Sequence, residues 1–330
     1  MAFRVRKALI VATAVTGLVL PEGSALAAAI RAVSQVHGKP DVVIDTRPVA
    51  LCEAASIPGA RCLPPRDVLG PHRRLANVSG LLWLLGTVGL TGRETVLVAG
   101  GPARDRDFMA GLLFLAGQKS VLVLTTPIAK IGTELKPGAT RSVTREAVYQ
   151  APMRSDRIVL RSELVRMIRS EASPVILDGR SEGEYWGAHI RAARGGHIPG
   201  AQHGPIPSLG DIKAGQGGPS SESPMAWPIV YGHDARDGLA FLARLVAAGR
   251  DARVYAEGWS GWASDGALPA DSATYPDLGK SKATARAPVS RAASRPEREA
   301  RWRMAGLVLA GLGLAAFGYL LGRRTATRTG

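Results

Sequence analysis

Three landmarks occur twice in this chain, in the same order, and nothing else in the sequence restricts the fold as much. The first is a short apolar run ending in an acid, with an arginine two positions on: Val42-Val43-Ile44-Asp45-Thr46-Arg47, then Val175-Ile176-Leu177-Asp178-Gly179-Arg180. The second is Ile57-Pro58-Gly59-Ala60, repeated letter for letter as Ile198-Pro199-Gly200-Ala201. The third is an apolar run that opens into a glycine loop. Thr95–Ala99 leads to Gly100-Gly101-Pro102-Ala103-Arg104-Asp105, and Pro228–Tyr231 leads to Gly232-His233-Asp234-Ala235-Arg236-Asp237. Matching landmarks stand 133, 141 and 132 residues apart. Helical stretches around 78–89, 108–117 and 239–249 and further apolar runs at 121–124 and 252–255 complete each copy. Short apolar runs alternating with helices predict an α/β fold of two units, each a mainly parallel sheet flanked by helices.

The two ends carry a different pattern. Residues 1–27 have a basic start, an apolar run at 8–20 that is short for a membrane span, and the small pair Ala25 and Ala27. That is the three-part secretory signal. Residues 304–322 are 19 uncharged, mostly apolar positions bounded by Arg301, Arg303, Arg323 and Arg324. At about 1.5 Å per residue they match a hydrocarbon core of roughly 30 Å, which predicts one transmembrane helix. Gly318 and Gly322 are spaced for helix–helix contact, so dimerisation through this face is one option. The expected organisation is a signal (1–27), a first domain (28–131), a linker (132–156), a second domain (157–265), a basic stalk (266–303), the membrane helix (304–322) and a short tail (323–330). Export places the globular part in the periplasm, anchored to a bacterial inner membrane. The arginines before the helix outnumber those after it, against the positive-inside tendency.

The formal charge of +15 does not indicate nucleic acid. Residues 280–330 alone hold eleven Lys and Arg against two acids. The excess thus flanks the apolar helix, where it suits lipid headgroups. No basic stripe with interleaved aromatics appears. His189, His197 and His203 lie close together without a cysteine or carboxylate pattern, so no metal and no cofactor is expected.

The order Asp-x-Arg, Gly196-His197-Ile198-Pro199-Gly200-Ala201, Val230-Tyr231 and a tight loop opening a helix resembles the rhodanese domain. The second copy also carries Ser181-Glu182-Gly183-Glu184-Tyr185 and Glu257-Gly258-Trp259-Ser260-Gly261-Trp262. The first keeps Asp45, Thr46, Arg47 and the Ile-Pro-Gly-Ala turn. The resemblance covers about 35–130 and 157–265, and it assigns Asp45, Arg47, Asp178, Arg180 and His197 to the family's turns. It also implies a sulfurtransferase whose loop begins with a cysteine, a persulfide carrier activated at a helix N-terminus. Here glycine stands at both places, Gly100 and Gly232.

The readings that follow are a catalytically inactive, pseudoenzyme form that binds a partner protein or a small oxyanion; a sulfurtransferase or sulfur carrier using Cys52 or Cys62; and a membrane scaffold. For the first, loop amides at Gly100, Gly101, Gly232 and His233 would cradle an anion, with Arg104 or Arg236 adding charge. Against it, each arginine has acids nearby in its own copy: Asp105 and Asp107, or Asp234 and Asp237. In an exported chain Cys52 and Cys62 are expected to form a disulfide worth about 2–3 kcal/mol. A reactive thiol and buried free thiols are the alternatives.

Overall fold

The computed structural model describes residues 29–36, 38–170, 174–205, 207–211 and 223–272. The expected signal, membrane helix and basic tail, and nearly all of the expected stalk, lie outside them. Among the described residues no helix is long and apolar enough to cross a membrane.

The first sheet is built from β1 (Ile30–Val33), β2 (Val42–Asp45), β3 (Ala60–Cys62), β4 (Thr95–Ala99), β5 (Ser120–Leu124) and β6 (Ala139–Thr140). Its order is β1-β5-β4-β2-β3-β6, and every pairing is parallel. Four helices belong to it: α1 (Val49–Ala54), α2 (Pro65–Val68), α3 (Val78–Thr87) and α4 (Ala103–Leu115). The second sheet follows with α5 (Arg161–Arg169), β7 (Ile176–Asp178), α6 (Glu182–Tyr185), β8 (Ala201–His203), β9 (Ile229–Tyr231), α7 (Ala235–Ala247), β10 (Arg253–Val254) and α8 (Gly258–Ala263). Its order is β10-β9-β7-β8, again parallel throughout. Ile158 adds a single parallel bridge to Val254. With that bridge the second sheet repeats the order β1-β5-β4-β2-β3 of the first.

Local chemistry explains the repeated turns. Gly59 and Gly200 take φ of +78° and +76°, where only a residue without Cβ sits without strain. Proline at the preceding position sets the φ that such a turn needs. The amides of Ala60 and Ala201 then donate to the carbonyls of Ile57 and Ile198, at 2.9 and 3.0 Å. Each turn delivers an alanine to the start of the strand that pairs with β2 or β7, namely β3 or β8.

The two halves share one core. Helices α4 and α7 pack directly on each other, and Phe108, Leu112, Leu113, Leu239, Leu242 and Leu245 are among the buried side chains there. Burying each such chain contributes about 1.5–3 kcal/mol. A Cβ at Gly111 would lie 2.2 Å from the Leu239 carbonyl oxygen, so glycine lets the two backbones approach.

The stretch 132–156, expected as a linker, runs along the first sheet. Ser56 and Lys136 exchange both backbone hydrogen bonds, at 2.7 and 2.8 Å. Residues 139–140 supply β6, and the Arg154 amide donates to the Leu115 carbonyl at 2.9 Å. Its backbone polar groups thus find partners on the half that precedes it. Cys52 and Cys62 are joined as a disulfide, with Cα atoms 5.8 Å apart, and tie α1 to the end of β3. Both are buried, and Gly138 lies over them: a Cβ there would meet the Cys52 sulfur at 2.6 Å.

Candidate functional site

The site lies where the C-terminal ends of the parallel strands meet helix starts, the usual location of ligands in such sheets. Each half sets its loop with the same device. The Arg47 amide donates to Asp45 Oδ1 at 2.9 Å, and the Arg180 amide to Asp178 Oδ1 at 2.9 Å. The guanidinium of each arginine then doubles back onto the same carboxylate, with Nη2 to Oδ2 at 2.6 Å in both. A charge-assisted, two-pronged pair of this kind holds a buried aspartate without leaving it unpaired. The third partner differs. Ser56 donates to Asp45 Oδ2 at 2.7 Å, and the Tyr231 hydroxyl to Asp178 Oδ2 at 2.5 Å. Burial and the adjoining Asp178 push the Tyr231 hydroxyl well above its ordinary range.

Both glycine loops are tightly held. In the first, Thr46 Oγ1 donates to the carbonyls of Ala99 and Gly100, each at 3.1 Å, and Arg106 Nη1 donates to the Gly101 carbonyl at 2.7 Å. In the second, the Trp259 and Ser260 amides donate to the carbonyls of Gly232 and His233 at 2.9 and 2.8 Å. A Cβ at Gly100 would stand 2.2 Å from Asp45 Oδ1, and one at Gly232 would stand 2.3 Å from the Asp237 Cβ. Asp234 caps α7 by accepting from the Asp237 amide at 3.2 Å.

The loop arginines pair across the halves rather than within them. Arg104 meets Asp237, and Arg236 meets Asp105, a reciprocal clamp around the α4–α7 contact. Arg244 adds a third crossing bond to Asp107 at 2.8 Å. The neighbours expected from the sequence were the right type in the wrong copy, because the two helix starts face each other. Burial pushes the Asp237 carboxyl up, while Arg104 pulls it down.

A cleft of about 1040 Å³ opens beside the second loop. His233 and Asp234 line it from the loop, Arg191 from the segment after α6, and Arg73 and Arg74 from the first half. Arg73 Nη1 reaches Asp234 Oδ2 at 3.3 Å, and Arg74 Nη2 reaches Glu257 Oε2 at 3.3 Å. Both arginines sit on a tight hairpin that Leu69 and Leu75 close with an antiparallel bridge. Arg73 has φ of +56°, the one positive φ outside glycine among the described residues. Sequence reading did not single out Arg73, Arg74 or Arg191. The only local sign was the turn signal Gly70-Pro71 ahead of two arginines.

The other residues marked by the sequence serve the second half's packing. His197 Nδ1 lies 3.0 Å from the Tyr185 carbonyl oxygen, and its ring stacks on Tyr185 with centroids 3.8 Å apart. Burial pushes its pKa down. His203 Nε2 is 2.9 Å from the Arg180 carbonyl oxygen, and His189 lies against Gly183. Among the described residues no three His, Cys, Asp or Glu side chains converge to hold a metal ion.

Comparison with known proteins bears on this geometry. Residues 160–265 match the family model of the rhodanese-like domain, and this part of the chain is such a domain. A solved structure described as a probable thiosulfate sulfurtransferase aligns at 27% identity and a TM-score of 0.50, over 72% of this chain and 100% of its own. EanB in complex with ergothioneine aligns at 17% identity and a TM-score of 0.57, over 74% of this chain and 64% of its own. YnjE does so at 17% and 0.57, over 73% and 62%. The aligned part of this chain spans less than two thirds of those last two proteins, and at such identity they share the fold alone. No curated protein matches the sequence.

Proposed function

We propose that this protein is a tandem rhodanese-like binding module, exported and tethered to the bacterial inner membrane with its globular part in the periplasm. On this reading neither loop carries out sulfur transfer, and the protein binds a small oxyanion or a partner protein. The observation that carries it is the crowding at Gly100 and Gly232, the positions where the rhodanese resemblance places the nucleophilic cysteine. A side chain at Gly232 would meet Asp237 and the backbone of Gly238 within 2.8 Å. Interiors packed this closely do not yield that much space without moving backbone. Neither loop leaves room for a cysteine side chain at its first position.

The test uses the full chain in detergent, supplied with thiosulfate and cyanide. No thiocyanate is expected above the protein-free rate, from the wild type or from Gly232→Cys. Thiocyanate production that disappears on Cys52→Ser would overturn the reading.

A sulfurtransferase is the second reading, favoured by the 27% identity to a probable thiosulfate sulfurtransferase across all of that protein's length. Cys52 or Cys62 would then carry the sulfur, which requires their buried disulfide to be reduced first. Mass spectrometry under non-reducing conditions separates the two. The binding reading expects the disulfide mass, about 2 Da below the dithiol, with no gain of about 32 Da after thiosulfate.

A further inference from the structure

Two buried arginines mark the β10 edge of the second sheet, and they are satisfied in unlike ways. Arg157, next to the bridge from Ile158 to Val254, is 5% exposed. It pairs with Asp251 at 2.5 Å and lies 3.4 Å from the Trp227 ring centre. Arg253, in β10 itself, is also 5% exposed, but among the described residues it forms no ion pair. Its Nη1 donates to the Met225 sulfur and its Nη2 to the Met167 sulfur, each at 3.7 Å. Among the described residues the one oxygen in reach of its side chain is the Met225 carbonyl at 3.5 Å, and its Nε has no hydrogen-bond partner.

A thioether is a weak acceptor, so a buried guanidinium is poorly satisfied here. Burial pushes the Arg253 pKa below its ordinary value, and only Glu163 pulls the other way. The strand keeps the residue in place, because the Arg253 amide donates to the Pro228 carbonyl at 2.9 Å and β10 pairs with β9. Met225 is the opposite case. It is 66% exposed, on the short turn Pro224–Ala226 that leads into β9. Of the other described methionines, Met109 is fully buried, and Met153 and Met167 are half-buried. A sulfur within reach of solvent thus lies against a buried cation that lacks an oxygen acceptor.

We propose that Met225 is a site of reversible oxidation, and that its sulfoxide oxygen is received by the buried Arg253 guanidinium. The oxidant is a peroxide. The Met225 sulfur lone pair attacks one peroxide oxygen, and an S–O bond forms as the O–O bond breaks. The sulfur gives up two electrons, and the leaving hydroxide takes the proton of the transferred hydroxyl and departs as water. The product is a polar sulfoxide. Methionine turns about three bonds, so the new oxygen reaches inward to Nη1. A charge-assisted hydrogen bond then replaces a weak sulfur contact. Oxidation elsewhere loosens a methionine contact, whereas here it ties the turn ahead of β9 to the β10 edge. The site does not depend on whether either glycine loop transfers sulfur.

The test treats the full chain in detergent with hydrogen peroxide and follows each methionine by peptide mass spectrometry. Met225 is expected to gain about 16 Da at least tenfold faster than Met109. At the dose where Met225 is oxidised and Met109 is not, the melting temperature is expected to rise by about 2–4 °C, the shift that one added charge-assisted bond gives a chain of this size. A methionine sulfoxide reductase should reverse it. Met225→Leu, which keeps the side-chain volume, should show no rise. Arg253→Leu should still be oxidised at Met225 and then melt lower, because the sulfoxide meets no buried donor. Replacing an unpaired buried cation by an apolar chain is compatible with folding. If Arg253→Leu nevertheless does not fold, Met225→Leu decides alone. Oxidation of Met225 no faster than of Met109 overturns the proposal. So does a melting temperature that stays or falls in the wild type, or a rise that survives either substitution.

Discussion

The two halves of the molecule place the same aspartate–arginine pair at the same spot and brace it by different means. In the first half Asp45 receives Ser56, and the segment carrying Ser56 is held by the Cys52–Cys62 disulfide and by Lys136. In the second half Asp178 receives Tyr231, and aromatic rings do the bracing. Trp259 donates to the Arg194 carbonyl at 3.1 Å and lies 4.8 Å from the Arg180 guanidinium. Trp262 donates to the Pro269 carbonyl at 2.7 Å. One half is stapled covalently, and the other is packed. The comparison teaches that a repeated turn geometry does not require a repeated means of support. A cross-link restricts the unfolded chain, whereas a buried ring stabilises the folded one.

Three measurements can break or sharpen that contrast. Trp262→Ala should cost the most, about 3–5 kcal/mol, because it removes a large buried ring and leaves a cavity. Thermal unfolding by circular dichroism checks it. A loss below about 1 kcal/mol would show that the aromatic half does not depend on this ring. The double change Cys52→Ser, Cys62→Ser should cost about 2–3 kcal/mol in denaturant titrations. Hydrogen exchange should quicken in β2 and β3 and stay as it was in β7 and β8. Equal quickening in both sheets would mean that the staple supports the whole molecule through the shared α4–α7 core.

The smallest effect concerns pH. Burial lowers the pKa of His197 and His233, both in the second half, below the ordinary value of 6.5. Between the folded and the ordinary value the unfolded chain binds protons that the folded chain refuses. Stability is therefore full above about pH 6.5 and declines as pH falls below it. Melting temperatures from pH 7.5 to 5 should show this decline, and His197→Gln should flatten it. An unchanged slope in that variant would exclude His197 as a source.

Much of the fold was legible because its determinants are local. An apolar run followed by Asp-x-Arg closes on itself within two residues, and Ile-Pro-Gly-Ala turns within three. These patterns placed β2, β4, β5, β7, β9 and β10, and the helices α3, α4 and α7, to within a few residues. The edge strand β1, the short strands β3 and β8 that follow the Ile-Pro-Gly-Ala turns, and the two-residue β6 were not foreseen. An edge strand owes its existence to a partner far along the chain, here β5, and leaves little period of its own.

The sequence by itself determined the repeat, the α/β class and the two glycines at the loop starts, since each is written in contiguous residues. It also paired the two cysteines correctly, a spacing and compartment argument that the disulfide at Cys52–Cys62 meets. Only the tertiary structure decided what the loop arginines do and where a charged cleft opens. Arg73 and Asp234 are 161 residues apart, and Arg74 and Glu257 are 183. No local pattern encodes a contact across that distance. It arises because α4 and α7 cross closely at Gly111, which brings the two halves' loop ends together and makes charges from one copy the partners of the other.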